Sequence, residues 1–193
     1  MQVLGSGLYH VGHYEDALSV REAELSMNRR LGASEETYLV LQNNLANSLK
    51  KLGREEEALR LRRVVYRGRL KLGGEEDADA LLAASNYGNT LRELGKFEEA
   101  KTLLRKTMPV ARRVLGEGHQ LTLKIRSNYA MALYEDPATT LDGLREAVTT
   151  LQDVERPARR VFGGAHPLTV EIEACLRHSR RVLRARETPP SSA

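Results

Sequence analysis

The sequence predicts an all-α, right-handed solenoid of paired-helix repeats, about nine helices long, and three observations predict it. The stretch Asn44 to Ala58 (Asn-Leu-Ala-Asn-Ser-Leu-Lys-Lys-Leu-Gly-Arg-Glu-Glu-Glu-Ala) returns 42 residues later at Asn86 to Ala100 (Asn-Tyr-Gly-Asn-Thr-Leu-Arg-Glu-Leu-Gly-Lys-Phe-Glu-Glu-Ala). A partial copy runs from Leu4 to Ala17, and another begins at Asn128-Tyr129-Ala130. Gly12, Gly53 and Gly95 stand 41 and 42 residues apart, and Asn44, Asn86 and Asn128 stand 42 and 42 apart. Self-similarity at a period of this size marks a repeat array, in which units share one elongated core.

The first repeat, about 1–34, begins within a helix: Leu4, Gly5, Leu8 and Gly12 take the places of Leu45, Ala46, Leu49 and Gly53. Residues 3–11 are expected to be the end of helix A. The missing helical residues would leave an open apolar end. Helix B is expected from Tyr14 to Leu31, with Glu15-Asp16 at the positive end of its dipole and Arg29-Arg30 at the negative end. In repeat two, about 35–75, Leu41, Leu45, Leu49 and Leu52 give one apolar stripe on helix A, 36–52. Helix B, 55–72, is closed by Leu72-Gly73. Repeat three, about 76–118, places helices at 77–94 and 97–115. Pro109 inside the second is expected to kink or break it. Repeat four, about 119–165, has helices at 120–134 and 142–162, the latter interrupted by Pro157. Its turn glycine is replaced by Glu135-Asp136-Pro137-Ala138-Thr139-Thr140, with roughly five residues inserted, since Leu115-Gly116 and Phe162-Gly163 are 47 apart. A capping helix, 166–186, carries Arg180, Arg181, Arg184 and Arg186 on a polar outer face, and 187–193 is expected to be a disordered tail.

Composition fits such an array. Hydrophobic residues make up 41% of the chain and aromatics 5%, with no tryptophan, so the core must come from Leu, Ala and Val. The net charge of +4 is spread over 30 cationic and 26 anionic residues, interleaved along the helices. Nucleic-acid readers concentrate their charge beside a reading element, and none is evident here. One cysteine, Cys175, leaves no intramolecular disulfide and no Cys-based zinc cluster. No apolar run approaches the roughly 20 residues of a membrane helix, and no secretory signal is visible. A cytoplasmic protein without membrane or nucleic-acid partners, without cofactor or metal, is expected. No catalytic constellation appears: His10 and His13 lack an acidic co-ligand, and Cys175 lacks a base.

Gly5, Ala46, Gly88 and Ala130 mark the closest approach of two antiparallel helices, which meet at about 8–10 Å only where side chains permit it. Ala17, Ala58, Ala100 and Ala147 answer from helix B. This small-large alternation resembles the tetratricopeptide repeat. The 42-residue period is similar to that of the kinesin light chain type. So are Asn43-Asn44-Leu45-Ala46 and the links Leu115-Gly116-Glu117-Gly118-His119-Gln120-Leu121-Thr122 and Phe162-Gly163-Gly164-Ala165-His166-Pro167-Leu168-Thr169. Departures are Gln120 for proline, no link histidine in repeats two and three, Cys175 in the asparagine position of the last helix, and no heptad coiled coil.

The resemblance implies a non-enzymatic protein-interaction adaptor, with helices A lining a concave groove for a short linear peptide. By resemblance alone, kinesin heavy chain or a cargo adaptor enters as partner. Asn44, Asn86 and Asn128 share one repeat position and Asn47 and Asn89 another. An amide offers both donors and an acceptor for a peptide backbone; the alternative for the Asn44 column is bridging between scaffold helices. Asn43, Lys50, Lys51, Ser85, Arg92, Ser127, Met131 and Tyr134 lie on or beside the same face, and the cations there favour an acidic motif. Gly88-Asn89 also resembles modules that clamp a chaperone's terminal carboxylates, but those have lysine where Asn43 and Ser85 stand. The alternative function is a structural segment of a larger scaffold, associating through the open N-terminal end.

Overall fold

The structure, a computed structural model, describes residues 2–188. Among the described residues it contains nine helices: α1 Gln2–His10, α2 Tyr14–Arg30, α3 Glu35–Lys51, α4 Glu55–Gly73, α5 Ala78–Glu93, α6 Phe97–Leu115, α7 Gln120–Tyr134, α8 Leu141–Phe162 and α9 Pro167–Glu187. The fold is all-α, and the bounds fall within a residue or two of those the repeats predict. Two compact units divide the chain, Met1–Thr90 and Leu91–Ala193. Successive helices pack on one another from α1 to α4 in the first, and from α6 to α9 in the second.

The small-residue columns sit where helices touch. Ala17, Ala46, Ala100, Ala130 and Ala147 are fully buried, and Ala58 is nearly so. At Gly5 an added Cβ would stand 3.3 Å from Cγ of Arg21. In the first unit Leu18, Leu45, Leu49 and the two alanines Ala46 and Ala58 form the core, with Leu25, Leu52 and Leu61 against it. In the second, Leu104, Leu123, Ile125, Leu144, Leu151 and Ile172 are wholly buried. A larger side chain at an alanine of these columns overpacks the contact, at a cost of about 1–3 kcal/mol.

The ends and the starts of the A helices are satisfied by different devices. After each of α1, α3 and α5 a glycine adopts positive φ (Gly12 87°, Gly53 72°, Gly95 70°). The next N–H then reaches back five residues: His13 to Leu8 O (2.9 Å), Arg54 to Leu49 O (2.9 Å) and Lys96 to Leu91 O (2.9 Å). These are Schellman closures. The helix A starts instead rely on side chains. Ser34 Oγ accepts from Thr37 N–H (3.2 Å), Asp77 Oδ2 from Ala80 N–H (2.9 Å), His119 Nδ1 from Leu121 N–H (3.2 Å) and His166 Nδ1 from Leu168 N–H (3.2 Å). The link histidines are therefore helix caps, satisfying amides that a helix start leaves unpaired.

Four expectations are corrected. Gly73 is the last residue of α4, and the left-handed residue is Gly74, φ 79°. The shift follows from packing, since a Cβ on Gly73 would lie 2.6 Å from the Asp77 side chain. Pro109 does not break α6, which runs through it. Proline lies on the exposed face there, so the Arg105 carbonyl that loses its partner can turn to water. Helix α8 likewise continues through Pro157, anchored on both sides by buried Val154 and Ala158. Glu187 belongs to α9, tied to Arg145 (3.0 Å), rather than to a tail. Residues 189–193 of that expected tail lie outside the described residues.

The extended α7–α8 turn replaces a glycine with a carboxylate. Asp136 Oδ1 accepts from Ala138 N–H (2.8 Å), its carbonyl accepts from Thr139 N–H (3.0 Å), and Lys101 of α6 reaches Oδ2 (2.7 Å). Thr140 Oγ1 then caps α8 through Gly143 N–H (3.1 Å). Burial alone would raise the Asp136 carboxyl, but the Lys101 ammonium and the Ala138 N–H outweigh it and hold the group below the usual carboxylate range. A carboxyl depressed on folding stabilises the fold above its unfolded value, about pH 4, and ceases to as pH falls through its folded value. Asp136→Asn is therefore expected to melt at lower temperature than wild type at pH 7, with the gap closing as pH falls below about 4. A gap independent of pH would show that the charge of Asp136 is not what holds the turn.

Candidate functional site

In the first unit the asparagines of α3 and α5 surround a buried arginine. Arg62 of α4, 4% exposed, donates to Oδ1 of both Asn43 and Asn47. Asn86 of α5 donates through Nδ2 to the same Asn43 oxygen at 3.5 Å. The structure thus joins Asn43, Asn47 and Asn86 in one network, and the Asn86 amide does bridge adjacent helices. Arg62 occupies the oxygens of these two α3 amides and not their Nδ2 donors. Asn44 engages differently, its carbonyl accepting from Arg21 (2.7 Å), which also reaches Ser48 Oγ (2.6 Å) and stacks 4.8 Å from the Tyr9 ring. Burial pulls the Arg21 guanidinium below its ordinary value, against the pull of Tyr9 and Glu24. Ser85 is buried, Asn89 and Lys50 are half-buried, and Lys51 is exposed, 5.9 Å from the Tyr14 ring.

Beside the network lies a cleft of about 220 Å³ lined by Leu39, Val40 and Asn43 of α3, Val65 and Arg69 of α4, and Asp79, Leu82 and Ala83 of α5. Arg69 is almost wholly buried and pairs with Asp79 (2.9 Å) and Glu36 (3.7 Å), whereas Leu82 stays 45% exposed. Apart from Asn43, these residues were not singled out from the sequence. The repeat held a signal for them: Leu39 and Leu81, like Val40 and Leu82, are 42 apart.

The second unit answers the same positions with different chemistry. Arg21, Arg62, Leu104 and Leu151 occupy one repeat column, four residues after Ala17, Ala58, Ala100 and Ala147, and all four are buried. Asn43 and Asn47 correspond to Ser127 and Met131 of α7. Leucine and methionine therefore replace arginine and asparagine together. With no arginine to reach it, Ser127 Oγ is buried without a hydrogen-bond partner among the described residues. Asn128 and Met131 are half-buried. Arg92 pairs with Glu135. Tyr134 is buried against Cys175 and lies 5.3 Å from the His178 ring; burial and the Cys175 neighbour raise its phenol, and burial also raises the Cys175 thiol. Among the described residues no group of three or more His, Cys, Asp or Glu side chains could hold a metal ion, and no helix is long and apolar enough to cross a membrane.

The sequence pattern of the tetratricopeptide repeat matches residues 39–79 and 79–136, together just over half of the chain. The chain belongs to the tetratricopeptide repeat family. Solved structures place its fold among those of TPR arrays. BtubC (BKLC) from P. vanneervenii is 17% identical, with a TM-score of 0.72 across 100% of this TPR chain and 83% of its own. The nearly identical TPR-like repeats assigned to a kinesin light chain of Podosopora anserina are 20% identical, with a TM-score of 0.77 across 95% of this chain and 85% of theirs. A variant of those repeats gives 0.79 over the same shares. At these identities the likeness is one of fold, an all-α solenoid. No curated protein matches the chain.

The exchange between the two units is testable. Arg62→Leu alone strands the Asn43 and Asn47 oxygens and should lower stability by about 2 kcal/mol in urea unfolding. Adding Asn43→Ser and Asn47→Met, the combination α7 already carries, should recover most of the loss. Additive losses would show that the column positions are independent.

Proposed function

We propose that this TPR chain is an adaptor whose helix A face binds a short linear peptide of a partner protein. The observation that carries the reading is the cleft of the first unit. Apolar walls from Leu39, Val40, Leu82 and Ala83 stand beside a row of amides whose oxygens are held by Arg62. That division suits an extended peptide. A preorganised amide nitrogen can donate to a peptide carbonyl, and an apolar side chain can enter the cleft. Asn47 and Asn89 stand one turn from Asn43 and Ser85 on their helices and continue the row. Lys50 and Lys51 near its end favour acidic residues in the motif through electrostatic complementarity. In the second unit the equivalent face carries Ser127, Asn128, Met131 and Tyr134, a more apolar lining. Affinity in the micromolar range, about −8 kcal/mol, fits a groove of this size. The kinesin light chain resemblance agrees with an adaptor working in the cytoplasm, with a motor heavy chain or cargo adaptor among the partners to test.

Leu82 offers the clean test, because its exposure lets it be changed without disturbing the core. Leu82→Glu should leave helicity and melting unchanged and weaken partner capture from a cytoplasmic extract roughly thirtyfold, the effect of losing a hot-spot contact of about 2 kcal/mol. Partners lost only from the variant should share a short motif. Retention of every partner would move the working surface away from this cleft.

A further inference from the structure

Helix α9 differs from every other helix A in what it does with its buried columns. The position held by Ala46, Gly88 and Ala130 is Arg177, and the position held by Leu49, Leu91 and Leu133 is Arg180. Those six residues are buried, whereas Arg177 and Arg180 are exposed. Arg181 and Arg184 follow at helical spacing, so residues 177, 180, 181 and 184 share one face. The row is about 10 Å long at 1.5 Å per residue. Between Glu173 and Glu187 there is no acidic residue.

The charge of this row is poorly neutralised. The two flanking acids are committed to α8, Glu173 to Arg159 and Glu187 to Arg145. Arg177 only approaches Glu173, at 4.0 Å, and Arg181 turns to His178 Nδ1 at 2.9 Å. The Arg180 and Arg184 side chains have no partner among the described residues. A face that needed only solubility would carry mixed signs, as the rest of this chain does. Four guanidiniums on one face, each a fork of donors matched to a carboxylate, form instead a receptor for anions.

We infer that the outer face of α9 is a second docking surface, taking a carboxylate-rich segment of a partner protein along the arginine row. An acidic polypeptide suits it better than a nucleic acid. The row is one helix face wide, carries no Phe, Tyr or Trp on which bases could stack, has its neighbouring His178 ring engaged by Arg181, and is too short to follow a phosphate backbone for more than a few nucleotides. This surface is separate from the proposed peptide cleft and stands or falls independently of it.

The test uses the full chain and a fluorescein-labelled ten-residue oligoglutamate, read by anisotropy. A ten-nucleotide oligouridylate serves as the second probe. Arg177→Gln/Arg180→Gln/Arg184→Gln should weaken oligoglutamate binding about tenfold, with circular dichroism and melting unchanged. The charge-matched control Arg29→Gln/Arg30→Gln/Arg60→Gln, on the first unit, should weaken it less than about twofold, and wild-type binding should weaken steeply with added salt. Equal losses in both triple variants would reduce the effect to net charge and overturn the proposal, as would no loss in either. Tighter binding of oligouridylate, lost in the α9 variant, would overturn it in favour of a nucleic-acid face. Should the glutamine variant lose its fold, Arg177→Lys/Arg180→Lys/Arg184→Lys keeps the charge, and retained binding there with loss in Arg177→Glu decides the matter.

Discussion

The contact on which the rest of this structure depends is the approach of helix A to helix B through residues without side-chain bulk. Ala46 and Ala130 are wholly buried on one side, and Ala58 and Ala147 are all but sealed on the other. Because the backbones come this close, each pair needs few large side chains, and a chain with 5% aromatics still closes its core. The same closeness constrains the neighbouring columns. A side chain four residues along from the helix B alanine must lie within the pair, whatever its chemistry. In the first unit that side chain is arginine and in the second it is leucine.

This is where the sequence ceased to be legible. Helix bounds, the order of pairs and the buried columns all follow from spacing, because turn glycines and small residues recur at fixed positions whatever surrounds them. Arg21 and Arg62 do not announce themselves in that way. An arginine within an amphipathic helix B reads as part of the solvated face, since burying its charge requires partners on another helix that periodicity cannot identify. Asn43 and Asn47 were visible as candidate binding groups for the same reason they are structural: they are polar residues on the inner face. Their oxygens are held by Arg62, a bond that the sequence pattern alone does not reveal.

The turns divide in a parallel way. Those within a pair are closed by backbone geometry at Gly12, Gly53 and Gly95, and no substitute for glycine is found until the α7–α8 turn, where Asp136 and Lys101 do the work through charge. The links between pairs also hold a positive-φ glycine, Gly32, Gly74, Gly116 or Gly163, and then open the next helix on a side-chain acceptor, which is serine, aspartate, histidine and histidine in turn. Glycine is required for its φ, and the cap only for its lone pair. Histidine in the last two links is thus one of several solutions to one problem, and its lack from earlier links costs the fold nothing.

Each of three earlier helices A buries one small residue and one leucine three residues on, as Ala46 and Leu49, Gly88 and Leu91, and Ala130 and Leu133. In α9 the same two positions are Arg177 and Arg180, and both are exposed. A helix packing there as α8 packs on α7 would have to strip water from two guanidiniums, and desolvating an unpaired charge is costly. Helix α9 thus keeps the backbone of its repeat while its chemistry turns the corresponding face to water.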